Sequence, residues 1–209
     1  MPNAQLPTLE STFDGLAHKS SFPGLLHGLG ALFANICGYI LLALAVLVTV
    51  ETLARKLLNV SLQGVDELGG YALAVSSALA FTTALVERAH IRIELFHVKL
   101  PVPLQMVLNW IAITSLAAFG GLLAFVCYTI VADSYDYGST APTPWATPLI
   151  YPQSLWYAGM VIFALVSAMM ALHATYLLVT GNAKALNRLY GPKEAVEEVK
   201  EELADLARR

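Results

Sequence analysis

VDELGGYALAVSSALAFTTALVERAHIRIE, residues 65–94, is the stretch whose reading decides the fold. It opens on the acids Asp66 and Glu67, runs without a charge from Leu68 to Val86, and closes on Glu87, Arg88, His90, Arg92 and Glu94. The uncharged middle is close to the ~20 residues that carry a helix across a bilayer's hydrocarbon, and charges at both ends resist burial there. A membrane span with charged collars follows. The acids stand at the positive end of the helix dipole and Arg88 at the negative end, so the collars also suit the helix electrostatically.

One face of this span carries Gly70, Ala74 and Ala78, a small residue every fourth position. Such a ridge lets a second helix approach closely, although small residues are also common in membrane helices that pack on nothing. Composition places the rest of the chain in the same setting. Of 209 residues, 57% are hydrophobic and only 13% charged, with a mean hydropathy of +0.63; a soluble domain carries about twice as much charge. The net charge of -3 offers nothing to a nucleic acid. Cys37 and Cys127 both fall in apolar runs, without the spacing of a metal or redox motif, and read as small buried hydrophobes.

Outward from the central span, three further apolar runs predict an all-α integral membrane protein of four spans, at about residues 25–54, 66–88, 104–132 and 153–180. Residues 1–24 hold Pro2, Pro7, Gly15 and Pro23, which break any long helix, though Leu9, Phe13, Leu16 and Ala17 allow a short surface helix. No basic region leads into a short apolar core at the start, so the first span is expected to be the insertion signal and to remain. That span ends in Glu51 and Arg55, four apart and able to pair on one helix face. The connector 57–64 is short, which returns the second span antiparallel beside the first.

Pro101 and Pro103 mark the start of the third span, since proline is tolerated in a first helical turn. The third run is longer than a perpendicular crossing needs, so it must tilt or protrude. Gly120 and Gly121 near its middle allow a kink or close packing, and Trp110 lies near one end. Residues 133–152 contain four prolines among Tyr135, Tyr137, Trp145 and Tyr151, with Asp133 and Asp136 but no Lys or Arg. Repeated proline forbids a continuous helix and aromatic rings favour the interface, so this segment reads as a strap along the membrane surface. The fourth span has its own small-residue ridge at Ser167, Ala171 and Thr175. Residues 181–209 read as a charged tail, with an amphipathic helix from Gly191 onward whose apolar stripe binds a partner, lies on the membrane or is simply solvated.

Basic residues set the expected orientation. With both termini in the cytoplasm, Lys19, Arg88, Arg92, Lys99 and the six basic residues of the tail lie inside, and only Arg55 and Lys56 lie outside. The strap then faces the periplasm of a bacterial cell.

Catalytic or ion-carrying membrane proteins usually bury ionisable residues within their spans. Here the ionisable side chain well inside a span is His173, which either binds a cofactor or hydrogen-bonds a neighbouring helix. A haem-binding, cytochrome b-type anchor of a respiratory enzyme needs two facing axial histidines, and His173 has no obvious mate. A self-contained small transporter would show broken spans or related halves, and neither is evident. Neither a cofactor nor an enzyme activity is expected.

Several of these elements, in this order, form a pattern. Arg55 closes the first span, Asp66-Glu67-Leu68 opens the second, and Ala89-His90-Ile91-Arg92-Ile93-Glu94 is followed by Leu100-Pro101 and later by PLIYPQSLWY at 148–157. The pattern resembles the small membrane subunit, the DctQ-like small permease, of tripartite ATP-independent periplasmic (TRAP) transporters, over roughly residues 30–180. Ala89 and Glu94 stand where that family usually has Gly and Asp. The resemblance implies a multi-pass protein of the bacterial inner membrane. Its partners would be a large membrane subunit that carries substrate and sodium, and a periplasmic binding protein that delivers an organic acid. It also implies that Glu51, Arg55, Asp66 and Glu67 on one rim, and Glu87, Arg88, His90, Arg92 and Glu94 on the other, pair among themselves or with the large subunit.

Overall fold

The computed structural model describes residues 21–88 and 100–191. Five helices order this part of the chain: α1 (Ser21–Leu58), α2 (Val65–Val86), α3 (Val102–Asp136), α4 (Ile150–Val179) and the short α5 (Ala183–Tyr190). Four of them, α1 through its Gly28–Leu58 portion, are long and apolar enough to cross a membrane. The fold is all-α, as the four apolar runs require.

Helix ends follow from local chemistry. Gly64 caps the start of α2 at φ +92°, a left-handed conformation that only glycine adopts without strain. Pro101 caps α3, and its carbonyl accepts from Leu104 N and Gln105 N at 2.9 and 3.1 Å. Pro152 sits inside the first turn of α4, where a missing N–H costs nothing, so that helix starts at Ile150 rather than near 153. At its far end Gly181, at φ +69°, turns the chain, and Asn182 accepts Ala185 N at 3.2 Å to start α5.

The third helix runs on to Asp136, beyond the end expected near 132. Its 35 residues make a rod of about 52 Å at ~1.5 Å per residue, against a hydrocarbon core of about 30 Å. The excess must tilt or stand out of the bilayer.

Helices pack in series: α1 on α2, α2 on α4, α4 on α3, with α5 laid against α3 and α4. Small residues make the central seams. A Cβ on Gly159 of α4 would stand 2.8 Å from Cβ of Ala78 on α2, and one on Gly120 of α3 would stand 3.1 Å from Ser167 Oγ and the Phe163 ring on α4. The Ser167 ridge is therefore the α3 seam, and Gly120 provides close approach. In the α1–α2 pair, Cys37 Sγ donates to Ser76 O at 3.3 Å and Thr83 Oγ1 reaches Gly30 O at 3.4 Å. Both cysteines are buried and free. The largest core cluster gathers Leu85, Ile113, Phe163, Met170, Leu177 and Leu186, so it lies toward the α5 end of the bundle.

Candidate functional site

At the end where α1 stops and α2 begins, two carboxylates are buried although they belong to charged collars: Glu51 is 4% and Glu67 7% exposed. A carboxylate out of water needs donors. Glu51 receives Arg55 Nη2 at 2.6 Å and Nε at 3.1 Å, Ser61 Oγ at 2.9 Å and the backbone Leu62 N–H at 2.5 Å. The anion thus folds the 59–62 connector back onto its own helix. Asp66 is exposed and lies near enough to Arg55 to attract it through space.

Glu67 holds a different element. Tyr71 OH donates to its Oε1 at 2.7 Å and Thr143 Oγ1 donates to its Oε2, and Thr147 adds bonds from its side chain and its backbone N–H. Thr143 and Thr147 belong to the strap, whose chain closes on itself as a small hairpin through Ala141 N to Thr147 O and Leu149 N to Ser139 O, each at 2.9 Å. The strap carries Trp145 over Gly64, where a Cβ would stand 2.4 Å from the indole. One carboxylate therefore clips the α1–α2 connector and the other clips the strap onto the start of α2.

At the opposite end α5 is docked rather than solvated, which departs from the charged tail expected past residue 181. Leu186 is fully buried and Tyr190 is 4% exposed; they stand four apart, on one face. Asn109 Nδ2 of α3 donates to Asn187 Oδ1 at 2.9 Å, and Asn187 Nδ2 donates to Val102 O at 3.3 Å. His173 Nδ1 and the Tyr190 hydroxyl lie 2.7 Å apart, with the rings edge to face. Burial pushes the Tyr190 phenol up to about 12, so it stays neutral at physiological pH. Trp110 Nε1 donates to Thr175 Oγ1 at 2.9 Å, which turns that ring inward to α4. Arg88, at φ +57° just past α2, donates through Nη1 to the Arg188 carbonyl at 2.9 Å.

The residues singled out from the sequence thus separate into groups. Glu51 and Arg55 come together with Asp66 beside them, while Glu67 turns to the strap. Of the ridge, Ala78 is sealed against Gly159 and Ala74 is half-buried; Gly70 is exposed with nothing within 4 Å of a Cβ there. Glu87 caps α2 beside Gly30. His90, Arg92 and Glu94 lie outside the described residues, as do the surface helix considered before Ser21 and the amphipathic helix expected from Gly191 onward. Gly64, Thr143, Trp145, Thr147 and Asn187 carry contacts that sequence reasoning missed. Gly64 alone left a sign, a glycine two residues before the acids that open a helix.

Chemically, these clusters brace. Both buried carboxylates are saturated by donors of their own chain, and among the described residues no three His, Cys, Asp or Glu side chains are placed to share a metal ion. In comparison with known proteins, residues 44–176 match the family model described as "Tripartite ATP-independent periplasmic transporters, DctQ component". The match takes in α1 from its middle, all of α2, α3 and the strap, and α4 through Tyr176, and leaves out α5. No curated protein and no solved structure matches the chain.

Proposed function

Because this chain belongs to the DctQ family, the small component of tripartite ATP-independent periplasmic transporters, we propose that it is the fixed brace of such a system. That family is a transporter component of the inner membrane and not an enzyme family. In this reading the chain holds the large membrane subunit in place while that subunit moves an organic acid with sodium, and a periplasmic binding protein supplies the substrate. Both termini lie in the cytoplasm, and the Glu51, Glu67 and strap end faces the periplasm, the arrangement the basic residues favour.

One observation carries the proposal: the buried carboxylates Glu51 and Glu67 at the rim are consumed in holding the chain's own loops, and the uncovered faces of the described spans are largely apolar. Among the described residues helix α1 packs chiefly along α2, and it turns Tyr39, Leu42, Val46, Val50 and Leu53 outward, each about half exposed or more. The Gly70 end of the small-residue ridge on α2 is also open, with nothing within 4 Å of a Cβ there. In lipid such faces gain little from burial, so shape and small residues decide which neighbour fits. A bulky Gly70→Trp, for which the isolated chain has room, is expected to abolish co-purification of the large subunit while the chain itself still folds. Co-purification at wild-type yield from both Gly70→Trp and Val46→Trp would reject these faces as the interface.

A further inference from the structure

The serial packing leaves a crevice. Helices α1 and α4 both lie on α2 and do not close on each other, so a trough of about 500 Å³ opens between them toward the Glu67 end. Leu44 and Leu47 form one wall, Leu155 the other, and Ala72 and Val75 the floor. Trp145 and Thr147 of the strap stand across its end, with Tyr151 and Pro152 beside them. The Tyr71 hydroxyl at the same place is already spent on Glu67. The walls therefore offer almost nothing but hydrocarbon.

We propose that this trough holds one acyl chain of a phospholipid from the leaflet at that end, periplasmic in the orientation proposed above. Two observations select a lipid chain over a partner's helix. First, the strap closes the end of the trough, and it is fastened there by Glu67 to Thr143 and Thr147. A spanning helix must continue past that point to reach water, whereas a lipid chain enters sideways from the bilayer. Second, size decides in the same direction. The trough's lining on α1 runs from Ile40 to Leu47 and on α2 from Leu68 to Val75, about 10 Å of helix at ~1.5 Å per residue against the about 30 Å a spanning partner would run, while an apolar cleft of this size suits a small hydrophobic guest. The proposal rests on the shape and chemistry of the trough, and holds whether or not the chain braces a transporter.

The test is lipid retention by the full-length protein taken from its native membrane into mild detergent, read by native mass spectrometry. Wild type is expected to keep a phospholipid bound after lipid in the micelles has been washed away. Ala72→Phe raises the floor and Ala43→Trp fills the trough from the α1 side, and each should lower retention about tenfold with helical circular dichroism unchanged. If Ala72→Phe fails to fold, Ala43→Trp decides alone. Wild type that keeps no lipid overturns the proposal, as does equal retention in the folded variants. So does a photo-crosslinker at position 43 that captures the large subunit and no lipid.

Discussion

Gly64→Ala is the substitution whose cost can be worked most fully. An alanine at φ +92° pays about 1–2 kcal/mol for the left-handed backbone. Its Cβ would also enter the Trp145 ring at 2.4–2.8 Å, and overpacking of that kind adds about 1–3 kcal/mol. The total is about 3 kcal/mol, or a fall of roughly 6–12 °C in melting temperature for a chain of this length. Gly138→Ala is the internal control. It shares the positive φ, at +58°, but has nothing within 4 Å of the new Cβ, so only the backbone cost of about 1–2 kcal/mol remains. Trp145→Ala in the Gly64→Ala background should remove the clash, making the double mutant less damaged than the sum of its parts. Thermal unfolding in detergent, followed by helical circular dichroism, reads all four variants against wild type. Equal losses for Gly64→Ala and Gly138→Ala, or strict additivity with Trp145→Ala, would refute the account of the strap seated on the start of α2.

Other seams make similar demands. Gly159→Ala places a methyl 2.8 Å from Ala78 Cβ and should cost about 1–3 kcal/mol, whereas Gly121→Ala meets nothing within 4 Å and should be neutral or slightly stabilising in a helix interior; paired melting curves check the order. Leu186→Ala empties a fully buried site worth about 2–5 kcal/mol. Because α5 can undock, its first sign should be faster proteolysis after Lys184 and Arg188 with the four long helices still protected, read by limited digestion and mass mapping.

Much of the architecture was legible because lipid imposes few solutions. A run of about 20 apolar residues between charged collars has to be a spanning helix, since no other backbone can satisfy itself there. The apolar settings of Cys37 and Cys127 likewise spoke for burial. What stayed hidden depended on contacts between distant residues. Glu67 looked like one more rim charge because its partners Thr143 and Thr147 stand in a strap whose prolines rule out a helix but do not say where it folds. Gly64 and Trp145 identify each other only once that strap is closed. At the other end, His173 read as solitary because its mate, Tyr190, sits in AKALNRLY at 183–190, a segment whose apolar residues Leu186, Leu189 and Tyr190 span little more than one helical turn, too short to distinguish docking from a solvated tail. The ridge was half visible: spacing located the small residues, but only packing shows that Ala78 serves the chain's own seam while Gly70 remains open.

The most direct test of the brace is reconstitution into sealed vesicles with an imposed sodium gradient. Purified alone, the chain should move no organic acid in either direction. Combined with the large membrane subunit and the loaded binding protein, it should support uptake that falls to background when it is left out. Substrate flux through vesicles that contain this chain and nothing else would contradict the account.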